Sequence, residues 1–265
     1  MNLFTMAETS NNYSLAGANK AKMPFGKLLI LAILAGMLIG FPAAVTNMAG
    51  YTLTSNSVVR VLSGVLFAFG LGTVVMTGAE LFTGNTLICI SVLDKKATLG
   101  GMLRNWIIVY IGNFIGSLIV AFICARFGWL GASEGALAQS TMKIAQAKMT
   151  MPWANAFFMG VLCNVLVTLG VLLSLSGKDG VSRVLGAWIP VMFFVTCGFN
   201  HSIADMTYCT MGLFGKMFYD GSAFQSLTWG NYFLGNMIPV TLGNIVGGCA
   251  VGIAMWYCYV RKGKK

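Results

Sequence analysis

Charged residues interrupt this chain so rarely that the stretches between them outline its architecture. The apolar stretches without Asp, Glu, Lys or Arg that matter for the fold are 28–59, 61–79, 81–93, 105–125, 149–177, 184–204, 206–215 and 221–260. A helix needs about 20 apolar residues to cross a bilayer. Runs 28–59, 105–125, 149–177 and 221–260 each hold one such helix, the last placed near 233–260. Runs 61–79 and 81–93 are parted only by Glu80, and runs 184–204 and 206–215 only by Asp205. Each pair reads as one long segment interrupted in its middle. The pattern predicts an all-α membrane protein of six transmembrane helices, with helices 2 and 5 broken. Strands of a membrane barrel would be about 9–11 residues of alternating polarity, and these runs neither alternate nor stop there.

Composition sharpens that picture. Of 265 residues, 17 are Lys or Arg and 7 are Asp or Glu, so 9% are charged while 57% are hydrophobic. Roughly 25% charge is usual in a soluble domain, and neither a water-facing surface nor a disordered chain is built this way. The first 24 residues are polar and mixed and lack the basic, apolar and small-residue order of a signal peptide. With the N-terminus inside, twelve Lys and Arg fall on the inner side, among them Lys20, Lys95, Lys178, Lys262, Lys264 and Lys265. Arg60, Arg126, Lys143, Lys148 and Lys216 fall on the outer side. The excess places both termini in the cytoplasm of a protein of the plasma (inner) membrane. The net charge of +10 is read as this orientation signal, with no nucleic acid as partner. The expected organisation is an N-terminal cytoplasmic segment 1–25, a channel domain 26–260 and a basic cytoplasmic tail 261–265.

The seven cysteines form no C-x-x-C pair, and no His stands at zinc spacing. They read as small packing residues, and no metal or cofactor is expected. Gly36/Gly40, Gly112/Gly116 and Gly248/Gly252 form G-x-x-x-G faces that let helices approach closely.

The two halves of the chain correspond. Aligning Gly78–Asn85 with Thr196–Ile203 sets Thr83 against His201, an offset of 118 that carries 28 to near 146 and 105 to near 223. Repeats of about 26–127 and 149–260 result, each with three spans. An odd number of spans makes the second repeat inverted, an architecture used by transporters with the site at the repeat interface. Unwound backbone at membrane depth must line a polar cavity or be buried in protein. The glycines at the breaks permit the unwinding. Two helix N-termini facing one cavity would favour an anion.

His201 is the only histidine and is the side chain able to exchange a proton near neutral pH. Thr83 offers a hydroxyl, or a cap for the half-helix that follows. Asn164 is a mid-span amide and Asn200 precedes the histidine. Glu80 and Asp205 flank the breaks and are expected to cap loop N–H groups or to pair within the loop. The motifs of serine hydrolases, zinc proteases and phosphate loops are absent, and no enzyme is expected.

These residues carry a family resemblance. Val75–Asn85, Gly160–Val167 and Phe199–Met206 resemble the signatures of the formate/nitrite transporter family, over about residues 16–260. Asn200 stands where many members have Glu, and Asp205 where many have Asn. The resemblance implies an aquaporin-like fold, a homopentamer with one pore per subunit, and passage of small monovalent anions such as formate, nitrite or hydrosulfide. It also implies an outer constriction at Phe67, Leu71 and Phe194, and an inner one at Leu81, Phe82 and Val167. Lys20 and Lys148 would be vestibule charges that concentrate the anion, and Thr83 and His201 would stabilise it at the centre. A desolvated anion is costly in an apolar slit and its neutral acid is not, so protonation near His201 is the expected mechanism. The alternatives are a neutral-solute channel of the aquaporin type, whose Asn-Pro-Ala motifs are absent, and a membrane scaffold or receptor without transport.

Overall fold

The computed structural model describes residues 2–261. Lys262, Lys264 and Lys265 of the expected basic tail lie outside the described residues. Helix α1 (Met6–Ala21) opens with a capping box in which the Thr5 hydroxyl accepts the Glu8 N–H. Pro24 stands before α2 (Phe25–Gly50), where its missing N–H and fixed φ suit a helix start. Ser55 caps α3 (Asn56–Phe67), which runs on through α4 (Phe69–Thr77). After a break come α5 (Phe82–Asn85) and α6 (Ile88–Leu93). Thr98 then caps α7 (Leu99–Arg126).

The second half repeats the plan. Helix α8 (Ala136–Met149) is followed by Pro152 and α9 (Trp153–Ser176). Asp179 caps α10 (Gly180–Cys197), and a break separates it from α11 (Ser202–Phe218). Helix α12 (Trp229–Val260) ends the described chain and includes two π-helical stretches. Six helical stretches are long and apolar enough to span a membrane, and the chain is a multi-pass membrane protein. Among the described residues the single β-type contact is the Leu3–Gly177 bridge.

Glycines set the closest crossings. A Cβ on Gly36 or Gly116 would strike the Asn113 or Ile33 carbonyl, so α2 and α7 meet backbone to backbone. Gly243 and Gly247 do the same against Phe157 and Val161, joining α12 to α9. With lipid as solvent the apolar effect gives no drive between helices, and such close packing supplies the contact. Each half therefore clamps its first span to its third and leaves its second, broken span to face the middle.

Candidate functional site

Helices α4 and α10 both end on a left-handed glycine, Gly78 (φ +68°) and Gly198 (φ +75°). A side chain at such a φ is strained, and glycine is not. The residue after each glycine turns back, Ala79 N–H to the Val74 carbonyl (3.1 Å) and Phe199 N–H to that of Phe194 (3.0 Å). New helices then begin at Phe82 and Ser202.

One asparagine from the third span of each half holds the break open. Asn113 accepts the Phe82 N–H (2.9 Å) and donates to the carbonyls of Glu80 (2.9 Å) and Ala32 (2.8 Å). Asn244 accepts the Ser202 N–H (2.9 Å) and donates to the carbonyls of Asn200 (3.1 Å) and Gly160 (2.8 Å). These bonds pair Gly78 with Gly198, Glu80 with Asn200 and Phe82 with Ser202, each 120 residues apart. The expected offset of 118, which set Thr83 against His201, is therefore corrected. His201 is equivalent to Leu81, because the left-handed caps and the asparagine locks fix the register and the residue types at the breaks do not. Thr83 and His201 instead meet, Oγ1 to Nε2 at 2.9 Å.

Glu80 and Asp205 do not cap helices, which corrects the capping half of the expectation for them; Glu80 does bond Asn85 within its break, and each carboxylate also takes a lysine from another helix. They are 2% and 1% exposed, and a buried carboxylate needs a counter-charge. Lys20 Nζ sits 2.5 Å from Glu80 Oε1, and Lys148 Nζ 2.5 Å from Asp205 Oδ1. Asn85 donates to the other Glu80 oxygen (2.7 Å) and to Asn105 (2.9 Å). Asn236 donates to the other Asp205 oxygen (3.0 Å). Asn105 and Asn236 also donate to the backbone carbonyls of Lys20 (3.0 Å) and Lys148 (3.3 Å). Lys148 has a further acceptor in Asn200 Oδ1 (3.1 Å) and lies 5.3 Å from the centre of the Tyr208 ring.

The histidine's second nitrogen fixes its tautomer. Nδ1 caps α11 by accepting the Ala204 N–H at 3.0 Å. A backbone N–H can only donate, so the proton of the neutral ring is on Nε2 and is given to Thr83. The Thr83 hydroxyl keeps its own hydrogen for another acceptor. The Phe194 ring stacks on the imidazole at 5.8 Å and 13°.

Two cavities approach this centre. One of about 610 Å³ is lined by Lys148, Asp205, His201, Phe67 and Phe194. The other, of about 180 Å³, is lined by Lys20, Tyr13, Leu71, Leu81 and Asn85. Phe67 meets Phe194 edge to face at 6.3 Å, and both line the larger cavity. Leu71, expected beside that pair, lines the smaller cavity instead. Phe82 and Val167 line neither cavity. The Phe82 ring packs edge-on against Tyr110 at 4.8 Å and Trp106 at 6.1 Å. Asn164, also outside both cavities, donates to the carbonyls of Asn244 (2.6 Å) and Thr83 (3.3 Å) and ties the two halves together. No trio of His, Cys, Asp or Glu suited to a metal occurs among the described residues.

Sequence reasoning missed Asn105, Asn113, Asn236 and Asn244. A signal was present: the third span of each half carries two amides eight residues apart. It also missed the Tyr13 hydroxyl, which donates to the Gly84 carbonyl (3.1 Å) and ties α1 to α5.

Comparison with known proteins agrees with this fold. The sequence model described as "Formate/nitrite transporter" matches residues 7–259. The formate channel FocA of Escherichia coli (strain K12) is 33% identical over 260 residues, covering 93% of this chain and 91% of that protein. A solved "Pentameric formate channel with formate bound" is 34% identical, with a TM-score of 0.80 over 89% of this chain and 97% of that one. An "FNT family ion channel" is 28% identical, with a TM-score of 0.82 over 94% and 98%. The chain belongs to the formate/nitrite transporter family; it is an anion channel and not an enzyme, and the neutral-solute alternative is set aside.

Proposed function

We propose that this family member conducts small monovalent anions of weak acids, formate first and nitrite and hydrosulfide after it. It would do so as a homopentamer in the plasma membrane, with both termini in the cytoplasm, the Lys20 cavity facing inward and the Lys148 cavity outward. The channel domain spans 26–260, with 1–25 and 261–265 on the cytoplasmic side. The relatives that transport or bind formate support the substrate, the pentameric neighbour supports the assembly, and the excess of inner Lys and Arg supports the orientation.

The observation that carries the reading is the Thr83–His201 hydrogen bond, set between two cavities that are each anchored by a lysine. Lys20 and Lys148 offer an arriving anion an ammonium already shared with a carboxylate, so the anion is exchanged and not trapped. Phe67 and Phe194 form the outer slit, and Leu71 and Leu81 the inner one, with Phe82 and Val167 packed behind. Each slit passes a neutral acid far more readily than a bare anion. At the centre the Thr83 hydroxyl gives its hydrogen to the anion while it accepts the one on His201 Nε2. His201 can take a replacement proton at Nδ1 only by releasing the Ala204 N–H. Proton relay is therefore tied to opening the cap of α11, and the ring is neutral before and after. Reclosing the cap resets the tautomer through water.

Flux of formate, nitrite, hydrosulfide and chloride into proteoliposomes tests this reading, comparing wild type with His201→Asn. Asn keeps a side-chain oxygen suited to capping α11 and a donor for Thr83, but it cannot titrate. The expected result is a flattened pH dependence of formate flux across about pH 5–8 and loss of chloride exclusion. Identical pH profiles and identical chloride exclusion would make His201 a structural cap alone.

A further inference from the structure

The cavity on the Lys148 side holds more positive charge than passage of one monovalent anion accounts for. Its charged lining is Arg60, Lys143, Lys148 and Asp205. Lys148 and Asp205 neutralise each other. Arg60 and Lys143 have no carboxylate partner among the described residues, so two positive charges remain uncompensated. The opposite cavity has one charged residue in its lining, Lys20, and that residue is paired with Glu80.

Arg60 has a defined seat. Its Nη1 donates to the Cys197 carbonyl at 3.3 Å, at the C-terminal end of α10, where the helix dipole favours a cation. The guanidinium lies against Gly198: a Cβ there would sit 2.8 Å from Nη1 and 3.7 Å from Nη2. The equivalent Gly78 has nothing within 4 Å. Most of the guanidinium's five N–H donors remain free, in a planar fork that matches a carboxylate. Lys143 stands five residues before Lys148 on α8, about 7.5 Å along the helix axis.

The volume is also out of proportion to formate. About 610 Å³ falls in the range of roughly 300–1,000 Å³ that holds whole small molecules. Phe67 and Phe194, which touch edge to face, are part of its lining. The desolvation cost of an ion rises with the square of its charge, so a dianion that enters this cavity is held above the slit.

The geometry points to a second role for this cavity: it binds a short dicarboxylate dianion through Arg60 and Lys143, and the bound dianion blocks the pathway without being carried. The block rests on the chain being an anion channel; the binding does not. Calorimetric titration of the detergent-solubilised full chain with malonate, and with succinate as a longer probe, measures binding directly. The expected result is one saturable site per chain, weakened by salt. Arg60→Gln and Lys143→Gln should each weaken it about tenfold or more. Arg60→Lys should fall between, since it keeps the charge and loses the fork. In proteoliposomes of one orientation, malonate on the Lys148 side should lower formate flux, and malonate on the Lys20 side should not. No binding to the wild type, equal binding to the glutamine variants, or transport of malonate itself would overturn the proposal. If the wild type carries no formate at all, the anion-channel reading of the site fails, and the calorimetry still decides whether the dianion site exists.

Discussion

The two lysine posts are built from one set of chemical groups placed differently. In the first half the carboxylate stands at the break, at Glu80, and an amide follows five residues later, at Asn85. In the second half the amide stands at the break, at Asn200, and the carboxylate follows at Asp205. At the offset of 120, acid and amide have changed places. The supporting asparagines have not moved, since Asn105 and Asn236 each bond to their lysine's backbone carbonyl. The pseudo-symmetry thus preserves an ammonium–carboxylate–amide cluster and not a residue at a position. The exchange has a consequence. Lys148 is held at two points, by Asp205 and by Asn200, the residue next to His201, whereas Lys20 has Glu80 alone among its side-chain partners.

The largest effect comes from breaking one post. Asp205→Asn leaves Lys148, 19% exposed, with amide partners only. Removing one member of a buried pair destabilises by about 3–5 kcal/mol, and the low end applies because Asn200 and partial solvent access remain. A swap sharpens the test. In Asn200→Asp/Asp205→Asn the second half takes the first half's arrangement and returns a carboxylate to within reach of Lys148 Nζ, which is 3.1 Å from Asn200 Oδ1 in the native chain. Thermal unfolding in detergent should show most of the lost stability restored in the double variant. If the double variant is as unstable as Asp205→Asn, the two posts are not equivalent in energy.

Much of the plan was legible in the sequence, and the illegible part has a physical cause. The six spans and the interruption of the second and fifth follow from charge-free lengths, though the second break lies at Gly198–His201 and Asp205 sits in the first turn of α11. The register between the halves did not follow. It is set by left-handed glycines and by amide locks whose spacing differs along the chain. Lys20 pairs with Lys148 and Pro24 with Pro152 across 128 residues, the breaks across 120, and Asn113 with Asn244 across 131. Loops of unequal length absorb these differences, and a single-offset alignment averages over them. The lysine partners of Glu80 and Asp205 are not legible in the sequence for a related reason. Their lysines arrive from α1 and α8, which begin upstream of the repeat starts expected at 26 and 149.

A smaller effect separates the two glycines. Alanine at Gly78 or Gly198 must adopt a left-handed φ, which costs about 1 kcal/mol at either position. The two variants should therefore have similar unfolding midpoints. Only at Gly198 does the new methyl meet Arg60, 2.8 Å from Nη1, and the end of that side chain can move aside at little energetic cost. Gly198→Ala should accordingly weaken malonate binding in the titration described above, while Gly78→Ala leaves it unchanged. Equal loss in both would mean that the break's shape, and not the seat of Arg60, sets the affinity.

The smallest effect separates the helices that bring the lysines. Helix α1 begins with a closed capping box: the Thr5 N–H and hydroxyl donate to Glu8 Oε2 at 2.7 and 2.9 Å. Helix α8 begins after Gly135 (φ +89°) with no side-chain cap and no acidic residue in its first turn. The bonds from the Thr5 backbone and hydroxyl hold the Glu8 carboxyl below its ordinary 4.5, and Lys178 adds to this. A carboxyl held low binds its proton more readily in the frayed chain than in the closed box. Its stabilisation is whole above the ordinary value and is lost as the pH falls through the lower folded value. Hydrogen-exchange protection of the first turn of α1 should thus fall between about pH 6 and pH 3, while that of α8 stays level. Glu8→Gln should remove the pH dependence in α1, since no carboxylate is left to titrate in the box. If α1 and α8 lose protection together, the acid acts on the membrane domain that both pack against, and the capping box is not the element that distinguishes the two ends.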